Sequence, residues 1–375
     1  MRVRAAVLPR TGVRVEVVDV DLAPPGPFEV LVRLGASGVC HSDLNAVDGT
    51  AETRCPAVLG HEGAGVVEAV GDGVSSVGIG DHVTLSWMPS CGRCEECTRD
   101  LPHLCREAWV AMGHGGLMDG TPRMSRDGEP VYHYSFLSTF AEATVVPERC
   151  VVKIPSEVPF DVAALVGCAV ATGVGAVWRT AGVRPGDRVA VFGCGGVGLS
   201  AVLGAVAVGA VPVVAVDLSE AKLATARDLG ATGAVAWRGS AEETAEAVRD
   251  AADGGVDFAV EATGRPEAML AAFLSTRPRG AVVLIGISRA DAVLPLPAVT
   301  IPRMERRVLG SIYGSVRPER DFAAILRLHA AGRLPLDRLI THRLPLEGTQ
   351  EALDLVRSGT AVRTVLDLNG AGGAP

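Results

Sequence analysis

The sequence predicts an α/β protein with two domains, one built on a partly antiparallel β-sheet and the other on a doubly wound parallel sheet. Residues 1–150 contain short Val-rich runs punctuated by Gly, Pro and Asp, which is typical of strands joined by tight turns. After about residue 170, apolar strand patterns alternate with helical patterns, which predicts successive βαβ units. A length of 375 residues, 48% of them hydrophobic, is enough for two such cores.

Each element of this fold has its own pattern in the sequence. In the first domain, strands are expected at residues 13–20, 30–34, 65–70 and 81–85. Residues 91–135 are polar and rich in turn residues, which predicts a loop lobe that a bound metal holds together. In the second domain, strands are expected at 189–192, 211–216, 256–260 and 281–285, with helices at 219–229, 241–252 and 266–275. Two further helices at 321–331 and 348–358, a strand at 363–368 that rejoins the first domain, and a disordered tail at 369–375 complete the prediction.

The charge balance and the cysteine content exclude several classes of protein. The net charge is -8, whereas nucleic-acid binders usually carry a basic excess. The first residues lack the apolar core of a signal peptide, so the nine cysteines suggest a reducing cytoplasm and metal-bound thiolates rather than disulfides. The uncharged stretch 189–216 could be taken for a membrane span, but its glycines and Pro212 favour a buried strand, helix and strand.

Four cysteines lie close together in the motif C-x2-C-x2-C-x7-C, within a polar loop sequence. Thiolates with this spacing can surround one tetrahedral Zn²⁺, and four protein ligands close the site, as in structural zinc sites. The alternative is that the four cysteines are unrelated. This alternative is disfavoured because all four lie within one short polar stretch. The predicted structural zinc ligands are Cys91, Cys94, Cys97 and Cys105.

A second and more dispersed group of possible metal ligands consists of Cys40, His61, Glu62 and Cys168. Two thiolates and one imidazole form a Cys₂His set, which leaves a fourth position open for water or substrate. Spacing alone does not prove this set, because His61 could instead be a hydrogen-bonded core histidine. Asp43 could accept a hydrogen bond from His61 and fix its tautomer, or it could cap a helix.

A glycine-rich turn, Gly-Cys-Gly-Gly-Val-Gly, follows the apolar run 189–192 and opens an Ala-rich helix. In such a turn the backbone can approach a pyrophosphate, toward which the first N–H groups of the helix point. Asp217 ends the next predicted strand, where its carboxylate would bind the adenosine ribose, repel a 2′-phosphate and so favour NAD over NADP. Lys222 either contacts the same ribose or is a solvated helix residue. The predicted turn residues are Gly193, Gly195, Gly196, Val197 and Gly198.

Together these motifs resemble the zinc-containing medium-chain alcohol dehydrogenases over essentially the whole chain. The resemblance also rests on G-H-E-x-x-G at 60–65, G-C at 167–168, E-A-T-G at 261–264 and V-R-T at 362–364. It implies a GroES-like catalytic domain over residues 1–169, completed by 313–375, and an NAD-binding Rossmann domain over 170–312. The stretch 117–139 is similar to the dimeric long-loop members, which include the formaldehyde dehydrogenase class.

The resemblance also implies roles for individual residues. Cys40, His61 and Cys168 would hold a catalytic zinc, with Glu62 as an alternative ligand, and the four-cysteine lobe would hold a second zinc. Ser42 would pass the substrate proton toward the cofactor ribose. The expected further cofactor contacts are His41, Thr172 and Arg363, the last at the pyrophosphate, and the expected substrate-channel residues are Trp87, Val110 and Tyr134.

Three residues depart from the family pattern. Asn45 occupies the place where many members carry the terminal histidine of the proton relay, so the resemblance does not define the route by which the proton leaves. His41 replaces an Arg seen in some members, which implies a weaker contact with the pyrophosphate. Trp109 stands where glutathione-dependent members use an Arg for the carboxylate of the thiol, which disfavours S-hydroxymethylglutathione as substrate.

The implied function is the reversible oxidation of an alcohol to an aldehyde or ketone, with hydride transfer to NAD. The protein would be a cytoplasmic homodimer with two Zn²⁺ per chain, acting on a small molecule and binding neither nucleic acid nor membranes. Three alternatives are open: a formaldehyde dehydrogenase that acts on a thiol adduct, a non-catalytic NAD-binding zinc protein, and a zinc-ribbon nucleic-acid binder. The acidic balance disfavours the last of these.

Overall fold

The computed structural model describes residues 1–368, which fold as two compact units. Unit 1 comprises Met1–Cys168, Arg317–Arg327 and the chain from Ile340 onward. Unit 2 comprises Ala169–Val316 and Leu328–Leu339. The tail at 369–375, for which disorder is predicted, lies outside the described residues.

The strands are numbered in chain order. They are β1 (Arg2–Leu8), β2 (Glu16–Leu22), β3 (Glu29–Val39), β4 (Ala57–Val58), β5 (Glu62–Val70), β6 (His82–Leu85), β7 (Met124–Arg126), β8 (Glu129–His133), β9 (Ala143–Pro147), β10 (Val151–Lys153), β11 (Val189–Phe192), β12 (Val213–Asp217), β13 (Gly233–Ala236), β14 (Val256–Glu261), β15 (Thr276–Leu284), β16 (Arg307–Gly310), β17 (Ile340–Pro345) and β18 (Arg363–Asp367).

The α-helices are numbered in the same way. They are α1 (His41–Asp48), α2 (Glu95–Thr98), α3 (Arg106–Met112), α4 (Phe160–Leu165), α5 (Ala171–Gly175), α6 (Gly196–Val208), α7 (Glu220–Asp228), α8 (Ala241–Ala251), α9 (Pro266–Ser275), α10 (Thr300–Met304), α11 (Pro318–Ala330) and α12 (Thr349–Ser358).

Unit 1 contains a closed barrel and a mixed sheet. The barrel has the strand order β1-β2-β7-β8-β4, and the sheet has the order β10-β6-β5-β3-β18-β17 with β9 added beside β3. Strand β3 is the centre of this sheet and is buried along nearly its whole length, because Val, Leu and Ala fill both of its faces. The long run of β3 ends at Val39, immediately before the first predicted metal ligand.

Unit 2 is built on a six-stranded sheet with the order β13-β12-β11-β14-β15-β16, in which every neighbouring pair is parallel. The central strand β11 (Val-Ala-Val-Phe) is wholly buried, as expected for a parallel sheet covered on both faces. The order reverses between β11 and β14, and a ligand crevice forms at the carboxyl ends of strands on either side of such a reversal.

The unit boundaries correct one part of the predicted domain division. Residues Leu328–Leu339, expected in the first domain, belong to unit 2. Two arginines in this segment tie it there, because Arg333 donates to the carbonyl of Ala207 at 3.2 Å and Arg338 to the carbonyl of Asp228 at 2.9 Å. These contacts join positions that are distant in the sequence, so no local sequence pattern predicts them.

One helix among the described residues, Phe160–Ala181, has the length and composition of a membrane span. It is 22 residues long, and 78% of its most apolar window is buried inside the structure. The core helix of a soluble protein meets the same criterion. The stretch 189–216 forms β11, α6 and β12, as predicted.

Candidate active site

The four clustered cysteines form a sulfur cage in unit 1. Their Sγ atoms all lie within 4.8 Å of one another, with 4.0 Å between Cys91 and Cys97 and 3.9 Å between Cys94 and Cys105. A tetrahedral zinc with bonds of about 2.3 Å needs sulfur separations of about 3.8 Å. Backbone N–H groups also point at the sulfurs, including that of Cys94 toward Cys91 at 3.3 Å. The cage therefore fits a zinc ion.

The dispersed group also converges to one point in unit 1. Ligand atoms of Cys40, His61, Glu62 and Cys168 all lie within 4.8 Å of one another. Cys40 follows β3 and is the N-cap of α1, while His61 and Glu62 stand at the start of β5. Cys168 lies in a π-helical turn, Val166–Val170, a local irregularity that is frequent at functional sites.

Gly60 sets the entry of the chain into β5 just before His61. Its φ is 89°, and an added Cβ would stand 2.5 Å from the ring of Phe140 and 2.7 Å from the Phe140 backbone nitrogen. Only glycine accepts this combination of left-handed backbone and close approach. Gly60 thus turns His61 inward, where the imidazole is 3% exposed.

Asp43 has both of the roles that the sequence left open. Its Oδ2 accepts from the backbone nitrogen of Cys40 at 2.9 Å, which completes a capping box at the start of α1. Its Oδ1 is 3.0 Å from Nδ1 of His61 and accepts from the backbone nitrogen of Gly60 at 3.1 Å. The carboxylate is fully buried yet has three partners. Because Nδ1 of His61 is bound to Asp43, Nε2 is the atom left to bind a metal.

The polar atoms of the dispersed group alter one another's pKa values. The hydrogen bond from Cys168 lowers the pKa of Cys40 well below 9, although burial opposes this. For His61, burial lowers the pKa, but the Asp43 carboxylate and Cys40 together raise it well above 6.5. These pKa directions favour a Cys40 thiolate beside a protonated His61 before a metal binds, and zinc binding would release the proton from Nε2 of His61. Two sulfurs and one oriented imidazole are a donor set that fits the ion.

Glu62 and Arg363 form a buried ion pair beside the cysteines. Arg363 donates to Oε2 of Glu62, and the two side chains are 5% and 0% exposed. Burial raises the pKa of Glu62 to about 7, although the Arg363 charge opposes the rise. Oε1 of Glu62 and Nε of Arg363 are buried without a hydrogen-bond partner among residues 1–368. Glu62 thus keeps one oxygen for a cation, and Arg363 keeps one donor for an anionic ligand.

The first turn of α1 carries the predicted proton carrier. Ser42 is half-buried, and its Oγ lies 3.9 Å from Sγ of Cys40. His41 is exposed at the first position of the helix, and Asn45 is half-buried one turn later. The hydroxyl of Tyr134 donates to the backbone carbonyl of Ser42 at 2.8 Å, and burial raises the pKa of Tyr134 well above 10.

Two tryptophans form an aromatic pair in unit 1. The rings of Trp87 and Trp109 meet edge-on, with centroids 5.9 Å apart and an interplanar angle of 75°. Trp87 follows β6, while Trp109 and Val110 lie on α3 and are 41% and 62% exposed. Tyr134, the remaining predicted channel residue, faces the ring of His61 edge-on at 5.7 Å.

The glycine turn of unit 2 has the shape that a dinucleotide requires. Gly193 has a φ of 90°, and a Cβ on Gly198 would stand 1.7 Å from the carbonyl oxygen of Gly193. Helix α6 begins at Gly196 with Gly195 as its N-cap, and no side chain caps it. Among residues 1–368, no atom outside Gly195 and its two chain neighbours lies within 4 Å of the Cβ position of Gly195, so a pyrophosphate can approach the uncapped N–H groups.

Asp217 ends β12 beside this turn. Its two oxygens accept from the backbone nitrogens of Cys194 at 2.6 Å and Ser219 at 2.9 Å, which fixes the carboxylate at the edge of the sheet. Lys222 lies close to Asp217, because its backbone nitrogen donates to Oγ of Ser219 at 3.4 Å and the backbone nitrogen of Ser219 donates to Asp217. Thr172 lies half-buried on α5.

Comparison with known proteins connects both units with one family. Residues 26–156 match the family model described as alcohol dehydrogenase GroES-like domain, and residues 196–331 match the model described as zinc-binding dehydrogenase. A solved structure of an alcohol dehydrogenase zinc-binding domain protein from Burkholderia ambifaria is 34% identical, covers 98% of this chain and 99% of its own, and superposes with a TM-score of 0.94. The chain belongs to the zinc-dependent medium-chain dehydrogenase family. Membership makes it an oxidoreductase and confirms the predicted fold class of a GroES-like and a Rossmann-type domain.

Two further structures show the range of this dehydrogenase family. Benzyl alcohol dehydrogenase from Acinetobacter calcoaceticus is 30% identical to the present dehydrogenase, with coverage of 98% and 99% and a TM-score of 0.93. A protein from Sinorhizobium meliloti 1021 solved with bound NADP is 26% identical, with coverage of 98% and 99% and a TM-score of 0.80. The formaldehyde dehydrogenase branch, the use of NAD and the zinc count of this dehydrogenase stay predictions.

The sequence did not indicate two of the contacts at the dehydrogenase site. The bond from Tyr134 to the Ser42 carbonyl joins residues 92 positions apart, and the ion pair of Glu62 and Arg363 joins residues 301 positions apart. The available signal for the first contact was the residue type at position 134. The family pattern requires only a ring that lines the channel, whereas a tyrosine also carries a hydroxyl that can form a hydrogen bond. The V-R-T motif marked Arg363 as functional without naming its partner.

Proposed function

We propose that this protein is a zinc-dependent alcohol dehydrogenase that reversibly oxidises an alcohol to an aldehyde or ketone and transfers the hydride to NAD. The observation that carries the proposal is the convergence of Cys40, His61 and Cys168 on one point, with His61 fixed by a buried carboxylate. These three are the proposed permanent ligands, and the fourth position, which the free oxygen of Glu62 can reach, is open to substrate while Glu62 stays paired with Arg363, as is typical of catalytic rather than structural zinc sites.

The residues of the chain have separate tasks in this proposal. Bound zinc would supply Lewis acidity toward an alcohol oxygen, and NAD would supply the hydride acceptor. Asp43 keeps His61 in one tautomer and orientation. Ser42 is proposed to relay the proton of the alcohol: its Oγ, half-buried and 3.9 Å from the Cys40 sulfur, would accept that proton while its own hydroxyl proton passes on toward the nicotinamide ribose. The buried surroundings of His61 and Glu62 exclude water, which strengthens the electrostatic interactions of the site.

NAD is the proposed nucleotide because of Asp217. Two backbone N–H groups hold its carboxylate at the carboxyl end of β12, in a position suited to ribose hydroxyls and unsuited to a 2′-phosphate. Lys222 lies near the same turn and is proposed to contact the ribose. Arg363, with a free buried Nε, is proposed to bind the pyrophosphate together with His41.

Alcohols with an aromatic ring are the proposed substrate class. The edge-on pair of Trp87 and Trp109 and the ring of Tyr134 offer aromatic surface in the unit that carries the metal ligands. The 30% identity to benzyl alcohol dehydrogenase supports the same class. A formaldehyde dehydrogenase that acts on a thiol adduct is the competing activity, and Trp109 disfavours it because it cannot pair with the carboxylate of a thiol.

NADH formation with a panel of primary, secondary and benzylic alcohols, with and without glutathione, distinguishes these possibilities. Oxidation of benzylic alcohols without a thiol supports the proposal. Activity on formaldehyde only in the presence of a thiol supports the competing dehydrogenase. No turnover by protein with full zinc content would indicate a non-catalytic NAD-binding protein. His61→Ala is the matched inactive control.

We also propose that the protein is a cytoplasmic homodimer. All nine cysteines are free thiols in the structure, as metal-bound thiolates in a reducing compartment require. In unit 2, strand β16 is the edge of the sheet, and Val308 on this strand is 41% exposed, which offers a surface for a second copy. Light scattering coupled to size-exclusion chromatography tests the dimer, and a monomeric mass would contradict it.

A further inference from the structure

The side chain of Tyr134 touches two important residues at once. Its hydroxyl donates a 2.8 Å hydrogen bond to the carbonyl oxygen of Ser42, and its ring meets the ring of His61 edge-on with centroids 5.7 Å apart. We propose that Tyr134 is a positioning residue, which fixes the first turn of α1 so that the Ser42 hydroxyl stands in a defined place beside the Cys40 sulfur. This inference rests on the proposed dehydrogenase function, in which Ser42 relays the alcohol proton toward the nicotinamide ribose.

The contact acts on Ser42 through its backbone. A carbonyl oxygen has two lone pairs, so it can accept from Tyr134 and still accept within the helix. When the carbonyl of Ser42 is held, the direction of its Cα–Cβ bond is held as well. Rotation about the Cα–Cβ bond is then the main freedom left to Oγ, which stands 3.9 Å from the Cys40 sulfur. Proton transfer requires a fixed distance between donor and acceptor, and this bond restricts the motion that would change it.

Tyr134 is itself fixed by the segment that follows it. Its backbone nitrogen donates to Oγ of Ser138 at 3.1 Å, and that hydroxyl donates to the carbonyl of Val58 at 2.9 Å. Ser135, Phe136 and Ser138 all have positive φ, at 50°, 64° and 51°. A residue other than glycine adopts such a backbone only at an energetic cost, so this conformation persists only where the surrounding structure enforces it. The loop is therefore a rigid support for the Tyr134 ring.

The hydroxyl and the ring can be tested separately. Tyr134→Phe keeps the ring beside His61 and removes only the bond to Ser42. Tyr132→Phe is the matched control, because Tyr132 lies two positions earlier at β8, with its ring under the guanidinium of Arg54 at 5.1 Å. Both variants lose one phenolic hydroxyl, but only one of them loses a contact with α1.

The experiment measures amide hydrogen exchange in residues 41–48, zinc content, and the kcat and KM for the best alcohol found in the panel. A net hydrogen bond of ordinary strength corresponds to a factor of about 2–10. Tyr134→Phe should therefore speed exchange at the start of α1 and lower kcat, each by a factor of that size, with nearly unchanged KM and zinc content. Tyr132→Phe should match the wild type in all four quantities.

Two results would overturn the inference. Unchanged exchange and unchanged kcat in Tyr134→Phe would mean that Tyr134 only fills space. A fall in kcat without faster exchange in α1 would mean that the hydroxyl acts on the substrate directly. The proposed function fails separately, if the wild type oxidises no alcohol at full zinc content. In that case the exchange measurement still tests the contact between Tyr134 and α1.

Discussion

Replacement of Asp43 by Asn tests how the protein prepares its catalytic metal site. The carboxylate accepts from the nitrogens of Cys40 and Gly60 and contacts Nδ1 of His61, at 2.9, 3.1 and 3.0 Å. An Asn amide has only one oxygen. If that oxygen keeps the bonds to Gly60 and His61, its NH₂ group faces the N–H of Cys40, and two buried donors oppose each other.

The size of the effect follows from these contacts. A buried donor left without an acceptor costs about 1–3 kcal/mol of folding free energy. Loss of the charged partner of a ligating His lowers metal affinity or activity about 10–100-fold. We therefore expect the zinc affinity of the site formed by Cys40, His61 and Cys168 to be about 10–100-fold lower in Asp43→Asn than in the wild type. The four-cysteine site should keep its zinc.

Competition with a chelator, followed by metal analysis, measures this directly. The zinc of the four-cysteine lobe is the internal reference, because Asp43 contacts none of those cysteines in the described contacts. Asp257→Asn is the matched control, because Asp257 lies in unit 2, which carries none of the predicted metal ligands; its half-buried carboxylate accepts from the backbone nitrogen of Arg188 at 2.9 Å and pairs with Arg277. Equal zinc retention by the two variants would refute the argument.

Three further substitutions test the other assignments. Cys94→Ser should lower the midpoint of thermal unfolding, because a structural zinc contributes to the folding free energy. His61→Ala should abolish turnover and shift that midpoint much less. Indistinguishable melting curves of the two variants would contradict this division of roles. Asp217→Ser should raise kcat/KM for NADP relative to NAD by removing like-charge repulsion, and a wild type that already prefers NADP would disprove the nucleotide assignment. Ser42→Ala should lower kcat about 10²–10⁴-fold at unchanged zinc content, and a near-normal kcat would leave bound water as the proton acceptor.

The sequence predicted unit 2 better than the rest of the chain. The strand at 189–192 and the helix at 266–275 have the same bounds in the structure. Buried parallel strands are short and wholly apolar, and the helices between them have clear polar ends, so the two patterns are easily distinguished. Strand β16 was not predicted, because it is an exposed edge that begins with Arg and carries no apolar run.

The long helix Phe160–Ala181 was also missed. It is apolar on nearly every face, so it lacks the polar side that reveals a helix in a sequence. Two π-helical segments, Val166–Val170 and Ala176–Ala181, further disturb the period of 3.6 residues. Cys168 lies in the first of them, so an irregularity that hides the helix from sequence analysis also orients a predicted metal ligand.

The candidate site was predictable in its ligands but not in their supports. The close spacing of four cysteines predicted one ligand set, the family motifs pointed to the dispersed Cys, His and Glu residues, and the ligand atoms of each set converge in the structure. The supporting contacts join positions whose approach depends on the whole sheet, such as Tyr134 with Ser42. A single carboxylate, Asp43, also turned out to satisfy two alternatives that the sequence presented as exclusive.

That double role of Asp43 links the fold to the chemistry. Its Oδ2 holds the N-cap Cys40, and its Oδ1 holds His61, so one buried side chain fixes two ligands on different elements. The cap satisfies a backbone donor at the start of α1, and so the bond that stabilises the helix also orients a ligand. Ligands held in place by folding need little rearrangement when a metal binds, which raises affinity and keeps the fourth position open for substrate. A carboxylate with this geometry therefore explains why the site can be rigid although its ligands come from distant parts of the sequence.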